Sequence, residues 1–253
     1  MSYNLLILSD SHLFKSRDQE LFGVNTYGSL KKLSNHIKLT DGSYDLLVAL
    51  GDLSEDGHTS AYEHFHDLTK ELAASSCIWI KGNHDQFDNV PGELAKNYIQ
   101  SEWHMDPWSF IFLDTTINGK DEGELGEAEL HRLDSFTKTY KERYILIFMH
   151  HQPIDVGSDF IDVLGLNDKQ VFWESISNNR SIRGIVFGHI HQVFDGYVNG
   201  IRLLSMPATS MQFKPLSREL EFDKPFHGYR TITLGPDGSI DTKVDRITVA
   251  ERS

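Results

Sequence analysis

The chain has one cysteine, Cys77, in 253 residues, so no intrachain disulfide framework exists, and the composition fits a reducing compartment. No apolar stretch approaches the roughly 20 residues of a membrane-spanning helix. The opening "MSYNLLILSD" lacks both the basic n-region and the apolar length of a secretory signal, so a cytoplasmic location with no membrane partner is the expectation. Basic residues are also short: 24 Lys and Arg face 37 Asp and Glu, a formal charge of −13. That field opposes binding along the phosphate backbone of a nucleic acid polymer and leaves small molecules as the expected partners. There is no internal repeat, low-complexity segment or linker, and residues 1–253 are expected to form a single domain; a homodimer is compatible with the chain.

Short apolar runs recur instead: "NLLILSD", "DLLVALGD", "CIWIKGNHD", "SFIFLDT", "YILIFMHH" and "IRGIVFGHIH". Runs without polar alternation are what strands buried on both faces look like. Helix-like stretches separate them, among them "YGSLKKLSNHIKL", "TSAYEHFHDLTKELAAS", "GEAELHRLDSFTKTYKE" and "KQVFWESISNN". Thr59 or Ser60 is the expected cap of the second, with Glu63 completing a capping box, and His64 and His66 on it are expected to be solvated. The alternation implies an α/β fold with mainly parallel strands. After Gly188 the text turns to β segments with Asn-Gly and Pro-Asp-Gly turns, hence antiparallel strands toward the C-terminus, and residues 211–227 read as a long surface loop.

Ligand-type residues stand where the apolar runs stop: Asp10 and His12, Asp52, Asn83, His84 and Asp85, His150, then His189 and His191. Strand ends are where α/β sheets bind ligands. In "GHIH", two histidines two positions apart share one face of an extended segment, whereas a helix would separate them by about 200°. Imidazole and oxygen donors without thiolate suit Mn, Fe or Zn and do not choose among them. His150 and His151 compete for one ligand position.

In order, Asp10-Ser-His12, Gly51-Asp52, Gly82-Asn83-His84-Asp85, His150 and Gly188-His189-Ile-His191 resemble the motif set of the calcineurin-like metallophosphoesterases, across roughly residues 4–192. The resemblance implies an αββα sandwich of two mixed β-sheets flanked by helices. It also implies two metal ions, one held by Asp10, His12 and His191, the other by Asn83, His150 and His189, with Asp52 bridging. His150 takes the ligand role because it directly follows the strand, as in the family; Gln152 departs from the family's H-H-P-P. By the same likeness His84 contacts the scissile phosphate and is the general acid, with Asp85 orienting its ring.

"LFGVNTYGSL", "GDLSEDGHTSAYEHF" and the stretch from "SMPATSMQFKP" to "LGPDGSI" extend the resemblance to bacterial class III 3′,5′-cyclic nucleotide phosphodiesterases, in particular the cAMP-hydrolysing branch. The implied reaction is cAMP to 5′-AMP by in-line attack of a metal-bridging hydroxide. Gln212 and Phe213 in the "ATSMQFKP" loop are the residues expected to reach the base, through amide hydrogen bonds and ring stacking, with a packed interface as the equal alternative for this loop. A broad phosphodiesterase or phosphomonoesterase acting on other small phosphoesters is the alternative, followed by a non-catalytic metal-dependent binding protein and a DNA nuclease.

Overall fold

A computed structural model describes residues 1–40, 42–72, 76–224 and 226–248. From the amino end the chain forms β1 (Tyr3–Leu8), β2 (Glu20–Leu21), β3 (Val24–Asn25), α1 (Thr26–Leu39), β4 (Leu46–Leu50), α2 (Thr59–Thr69) and β5 (Cys77–Ile80). There follow α3 (Gly92–Tyr98), β6 (Glu102–Met105), β7 (Trp108–Phe112), α4 (Gly126–Thr139), β8 (Tyr144–Met149), α5 (Asp159–Asp162), α6 (Lys169–Ile176) and β9 (Ile182–Phe187). The C-terminal part adds β10 (Phe194–Val198), β11 (Ile201–Ser205), β12 (Phe226–Leu234) and β13 (Ile240–Thr248).

One large sheet has the order β13-β12-β1-β4-β5 and the other β10-β11-β9-β8-β7-β6, while β2 and β3 pair as a separate two-stranded sheet. Both are mixed: β1, β4 and β5 run parallel, as do β7, β8, β9 and β11, while β12, β13, β10 and β6 join antiparallel. The sheets pack face to face, and alternation along each strand feeds two interiors at once. On β1, Leu5 and Ile7 enter the layer between the sheets, where they meet Phe110, Phe148 and Val186, while Leu6 and Leu8 pack outward against Leu30 and Leu33 of α1 and Phe65 of α2. On β8, Leu146 and Phe148 face the intersheet layer and Ile145, Ile147 and Met149 face Phe136 of α4 and Phe172 of α6. Helices thus cover both outer faces, the expected αββα order, and burial on both sides is why these strands read as unbroken apolar runs. All six apolar runs form strands.

Some local expectations change. The N-cap of α2 is His58, whose Nδ1 accepts from the Ser60 N–H at 3.1 Å, because the Thr59 hydroxyl is drawn away to the Asn89 carbonyl at 2.9 Å. His64 is 9% exposed rather than solvated: the segment from Phe14 to Tyr27 folds over α2, and the ring bonds to the Phe14 carbonyl. His66 is half-buried against Tyr98. Residues 211–224 carry an antiparallel bridge between Phe213 and Phe222 and bury Met211, Gln212 and Ser217, so this stretch is a packed flap rather than a plain surface loop.

Candidate metal centre

The parallel strands deliver the ligand-type residues from their carboxyl ends, so the turns that follow β1, β4, β5, β8 and β9 lie side by side. Backbone hydrogen bonds lock these turns together: Asp10 N–H donates to Gly51 O at 3.1 Å, His12 N–H to Asp52 O at 2.8 Å, and Gly188 N–H to His150 O at 3.0 Å. Five of the seven expected metal ligands hold positive φ, namely Asp10 (56°), His12 (46°), Asp52 (50°), His189 (66°) and His191 (48°). A left-handed residue of this kind costs on the order of 1–3 kcal/mol, and such strain concentrates at functional sites. The glycines of the motifs permit the crowding. At Gly51, with φ of 88°, a Cβ would collide with His150 Nδ1 and lie 2.8 Å from Gly82 N. Gly51→Ala is therefore expected to cost about 1–3 kcal/mol and lower the melting temperature by about 2–12 °C, read by calorimetry.

The structure brings all seven residues together. Asp52 Oδ2 lies 3.2 Å from His150 Nε2 and 3.6 Å from His12 Nε2. His12 Nε2 is 3.1 Å from His191 Nε2, which is 3.5 Å from Asp10 Oδ1. His150 Nε2 is 3.0 Å from Asn83 Oδ1. Ligand atoms of Asp10, His12 and His191 converge within 4.8 Å of one another, as do those of Asp10, Asp52 and His150, and those of His150, His151 and His189.

The hydrogen bonds of the rings are those of residues that could hold a metal ion. His12 donates through Nδ1 to Glu55 at 2.6 Å, His150 through Nδ1 to Leu50 O at 2.7 Å, and His191 through Nδ1 to Met211 O at 2.9 Å. With Nδ1 so engaged, the Nε2 of each ring faces carboxylate oxygens, an amide oxygen or another ring nitrogen. Acceptors facing acceptors at 3.0–3.6 Å call for positive charge between them. Asp10 Oδ2 and His189 Nε2 are buried without any hydrogen-bond partner, which a cation would supply.

The electrostatics agree. Burial pushes Asp52 up, but the His150 charge and hydrogen bond hold it well below the carboxylate range. Burial pulls His150 down, yet the Asp52 charge and hydrogen bond, with Asp10 and the Leu50 carbonyl, together lift the ring to about 9, so a proton and a cation compete for the same place. His189 is driven well below its usual value by burial and then by His151 and His150, keeping its ring neutral. His151 is pushed down to about 3 by burial and then by His150; its Nε2–H donates to Asp121 O at 3.1 Å and its Nδ1 accepts from Thr115 Oγ1 at 2.7 Å, so both nitrogens are engaged within the fold. Gln152 is buried, and its Nε2 donates to Ile161 O at 2.7 Å, which ties the loop after the ligand strand to α5.

His84 borders the centre. Its N–H donates to Asp52 Oδ1 at 2.9 Å, its ring is one-third exposed, and Nδ1 lies 3.2 Å from Glu55 Oε2. Burial lowers its pKa, but Asp52 and then Glu55 raise it above the usual histidine value. The sequence expectation that Asp85 orients this ring is corrected. Asp85 is buried and accepts instead from the N–H groups of Leu53, Ser54 and Gly82 at 3.3, 3.0 and 3.0 Å, because it faces the turn after β4 rather than the cavity. The carboxylate beside His84 is Glu55, which no motif marked; its place three residues beyond Asp52 was the available signal. Glu55→Gln is expected to lower metal affinity or activity by about 10–100-fold, measured by metal titration and steady-state rates.

Beside this candidate centre lies a cavity of about 270 Å³ lined on one side by His12, Asp52, Asn83, His84, His189 and His191. Its other side is apolar, with Phe22, Phe160, Leu164, Met211, Phe213 and Leu220. Gln212, expected to reach the base, is absent from this lining. Its Nε2 donates to Ala208 O and Ser210 O, and its Oε1 accepts from Arg246, so its amide is spent on folding the flap.

The sequence profile of the family described as Calcineurin-like phosphoesterase matches residues 3–193. The chain is 33% identical over 249 residues to the 3′,5′-cyclic adenosine monophosphate phosphodiesterase CpdA of Vibrio vulnificus, covering 97% of this chain and 90% of that protein. To the protein of the same name from Escherichia coli K12 it is 32% identical, covering 96% and 89%. Among solved structures, a dimetal phosphatase from Danio rerio matches with a TM-score of 0.64 at 12% identity, covering 96% of this chain and 98% of that one. GAP50, the anchor in the inner membrane complex of Plasmodium, matches with a TM-score of 0.65 at 15% identity, covering 96% and 84%. A phosphatase and an anchor share this architecture, so the fold by itself does not assign an activity. Among the described residues no helix is long and apolar enough to cross a membrane.

Proposed function

This chain belongs to the calcineurin-like phosphoesterase family, and from that membership we propose that it is a dinuclear-metal phosphodiesterase converting 3′,5′-cyclic nucleotides, cAMP foremost, to 5′-monophosphates. The reach of the relatives' match carries the substrate assignment. The family profile ends at residue 193, whereas identity to the cAMP phosphodiesterases covers 96–97% of the chain and so takes in most of the flap that walls the cavity. The apolar layer shared by both sheets supports reading residues 1–253 as one phosphoesterase domain.

Asp10, His12 and His191 would hold one ion, Asn83, His150 and His189 the other, with Asp52 between them. When bound, the ions offset charge on phosphate oxygens and supply water acidic enough to attack near neutral pH. The remaining work belongs to the chain. Asp52 Oδ2 faces both sets of ligands, so one carboxylate fixes their separation. His84, held by Glu55 at Nδ1, keeps Nε2 for the substrate. The protonated ring, which the Glu55 carboxylate favours, hands a proton to the 3′ oxygen as that oxygen leaves opposite the attacking water. Asp85 acts through the backbone, fixing the turns that present Asp52 and His84.

The test is the specificity constant of Mn-loaded protein on 3′,5′-cAMP, 3′,5′-cGMP, 2′,3′-cAMP and bis(p-nitrophenyl) phosphate, with the product identified. Preferred cleavage of 3′,5′-cyclic nucleotide to the 5′-monophosphate supports the reading. Cleavage of the chromogenic ester or the 2′,3′ isomer alone would leave a broad phosphodiesterase in its place.

A further inference from the structure

Resting on the phosphodiesterase reading, we propose that the apolar side of the cavity, with Phe22 at its rim, seats the nucleobase of the substrate and binds it by stacking and shape rather than by its hydrogen-bonding edge.

Phe22 is where local sequence rules and the structure disagree. Leu21 of β2 pairs with Val24 of β3, so Phe22 and Gly23 are the two turn residues, with φ of 49° and 78°. Two positive φ values belong to the type I′ turn, which selects Asn-Gly, Asp-Gly or Gly-Gly. A phenylalanine at the first position is strained, and its ring is 62% exposed, so neither turn chemistry nor core packing places it there. The ring reaches across to the flap, 4.8 Å from Phe222, itself 44% exposed. Phe222 lies 6.1 Å from Phe213, which lies 5.3 Å from Phe160 and stacks on His191 at 4.3 Å and 14°. Aromatic rings therefore follow one another from His191, a candidate metal ligand, through Phe213 and Phe222 to Phe22; of the three phenylalanines, Phe213 and Phe22 line the cavity. A cyclic phosphate held at the metal centre would carry its base along this wall.

Little on that side can read a base edge. Gln212 is committed to Ala208, Ser210 and Arg246, and Glu55 to His12 and His84. Asp121 lines the cavity as an acceptor; adenine and guanine both offer it an amino group, and guanine N1–H as well, so edge reading there is confined to one carboxylate. Discrimination between cAMP and cGMP should then stay below about 100-fold.

The experiment compares wild type, Phe22→Asn and Phe22→Tyr on cAMP, cGMP and a base-less analogue, methyl riboside 3′,5′-cyclic phosphate. Asparagine suits the turn, so Phe22→Asn should melt no lower than wild type. It should raise KM for cAMP and cGMP by about 5- to 100-fold with little change in kcat. Phe22→Tyr should restore KM, and the base-less analogue should not respond to either change. An unchanged KM for cAMP, an equal rise for the base-less analogue, or wild-type discrimination well above 100-fold overturns the base seat alone. Failure of the wild type to cleave any 3′,5′-cyclic nucleotide overturns the phosphodiesterase reading along with it.

Discussion

Asp52→Asn is expected to lower kcat/KM on cAMP by about 10³-fold or more and to deplete both metal ions, measured as metal per chain in the purified variant. The expectation follows from one oxygen. Asp52 Oδ2 stands 3.2 Å from His150 Nε2 and 3.6 Å from His12 Nε2, so it borders both proposed ligand sets at once. An amide keeps the shape but removes the charge that offsets two cations. Oδ1 already accepts the His84 N–H, which an amide oxygen can keep, so folding should survive while metal binding does not. A variant that retains two ions per chain and near-normal turnover would show that Asp52 is not the bridge.

His84→Ala should separate chemistry from metal binding. It is expected to reduce kcat on cAMP by about 10²–10⁴-fold, the range of a lost general acid, with metal content close to wild type. The leaving 3′ oxygen of a ribose needs a proton, whereas p-nitrophenolate leaves without one. Hydrolysis of bis(p-nitrophenyl) phosphate should therefore fall much less. The competing outcome is specific: His12, Asp52 and His84 also bring ligand atoms within 4.8 Å of one another. Loss of metal on truncation, with equal loss on both substrates, would make His84 a ligand rather than the acid.

How far the sequence displays this arrangement depends on what each residue does. The strands are legible because Leu5 to Leu8 and Ile145 to Met149 are buried on both faces, which forbids polar alternation. The ligand-type residues are legible because parallel strands end together, so polar residues after apolar runs become neighbours. Asp, Asn and His tolerate left-handed backbone better than most residues, but nothing in the text says that Asp10, His12, Asp52, His189 and His191 all adopt it. Side-chain commitments are illegible. Asp85 stands beside His84 in sequence and yet turns to the amides of Leu53 and Ser54, while Glu55, 29 positions earlier, takes the ring. Gln212 is a plausible reader of a base until Ala208, Ser210 and Arg246 are seen to occupy its amide. The apolar wall escapes for a similar reason: Phe22, Phe160 and Phe213 are far apart in the chain and share no spacing that would mark them as one surface.

The dinuclear site is tested most directly by stripping the protein of metal and titrating it with Mn(II), following bound metal per chain and cAMP hydrolysis together. The predicted result is no turnover in stripped protein and activity that rises as a second ion binds, to a limit of two per chain. Hydrolysis that persists after stripping, or that saturates at one ion, would contradict the assignment.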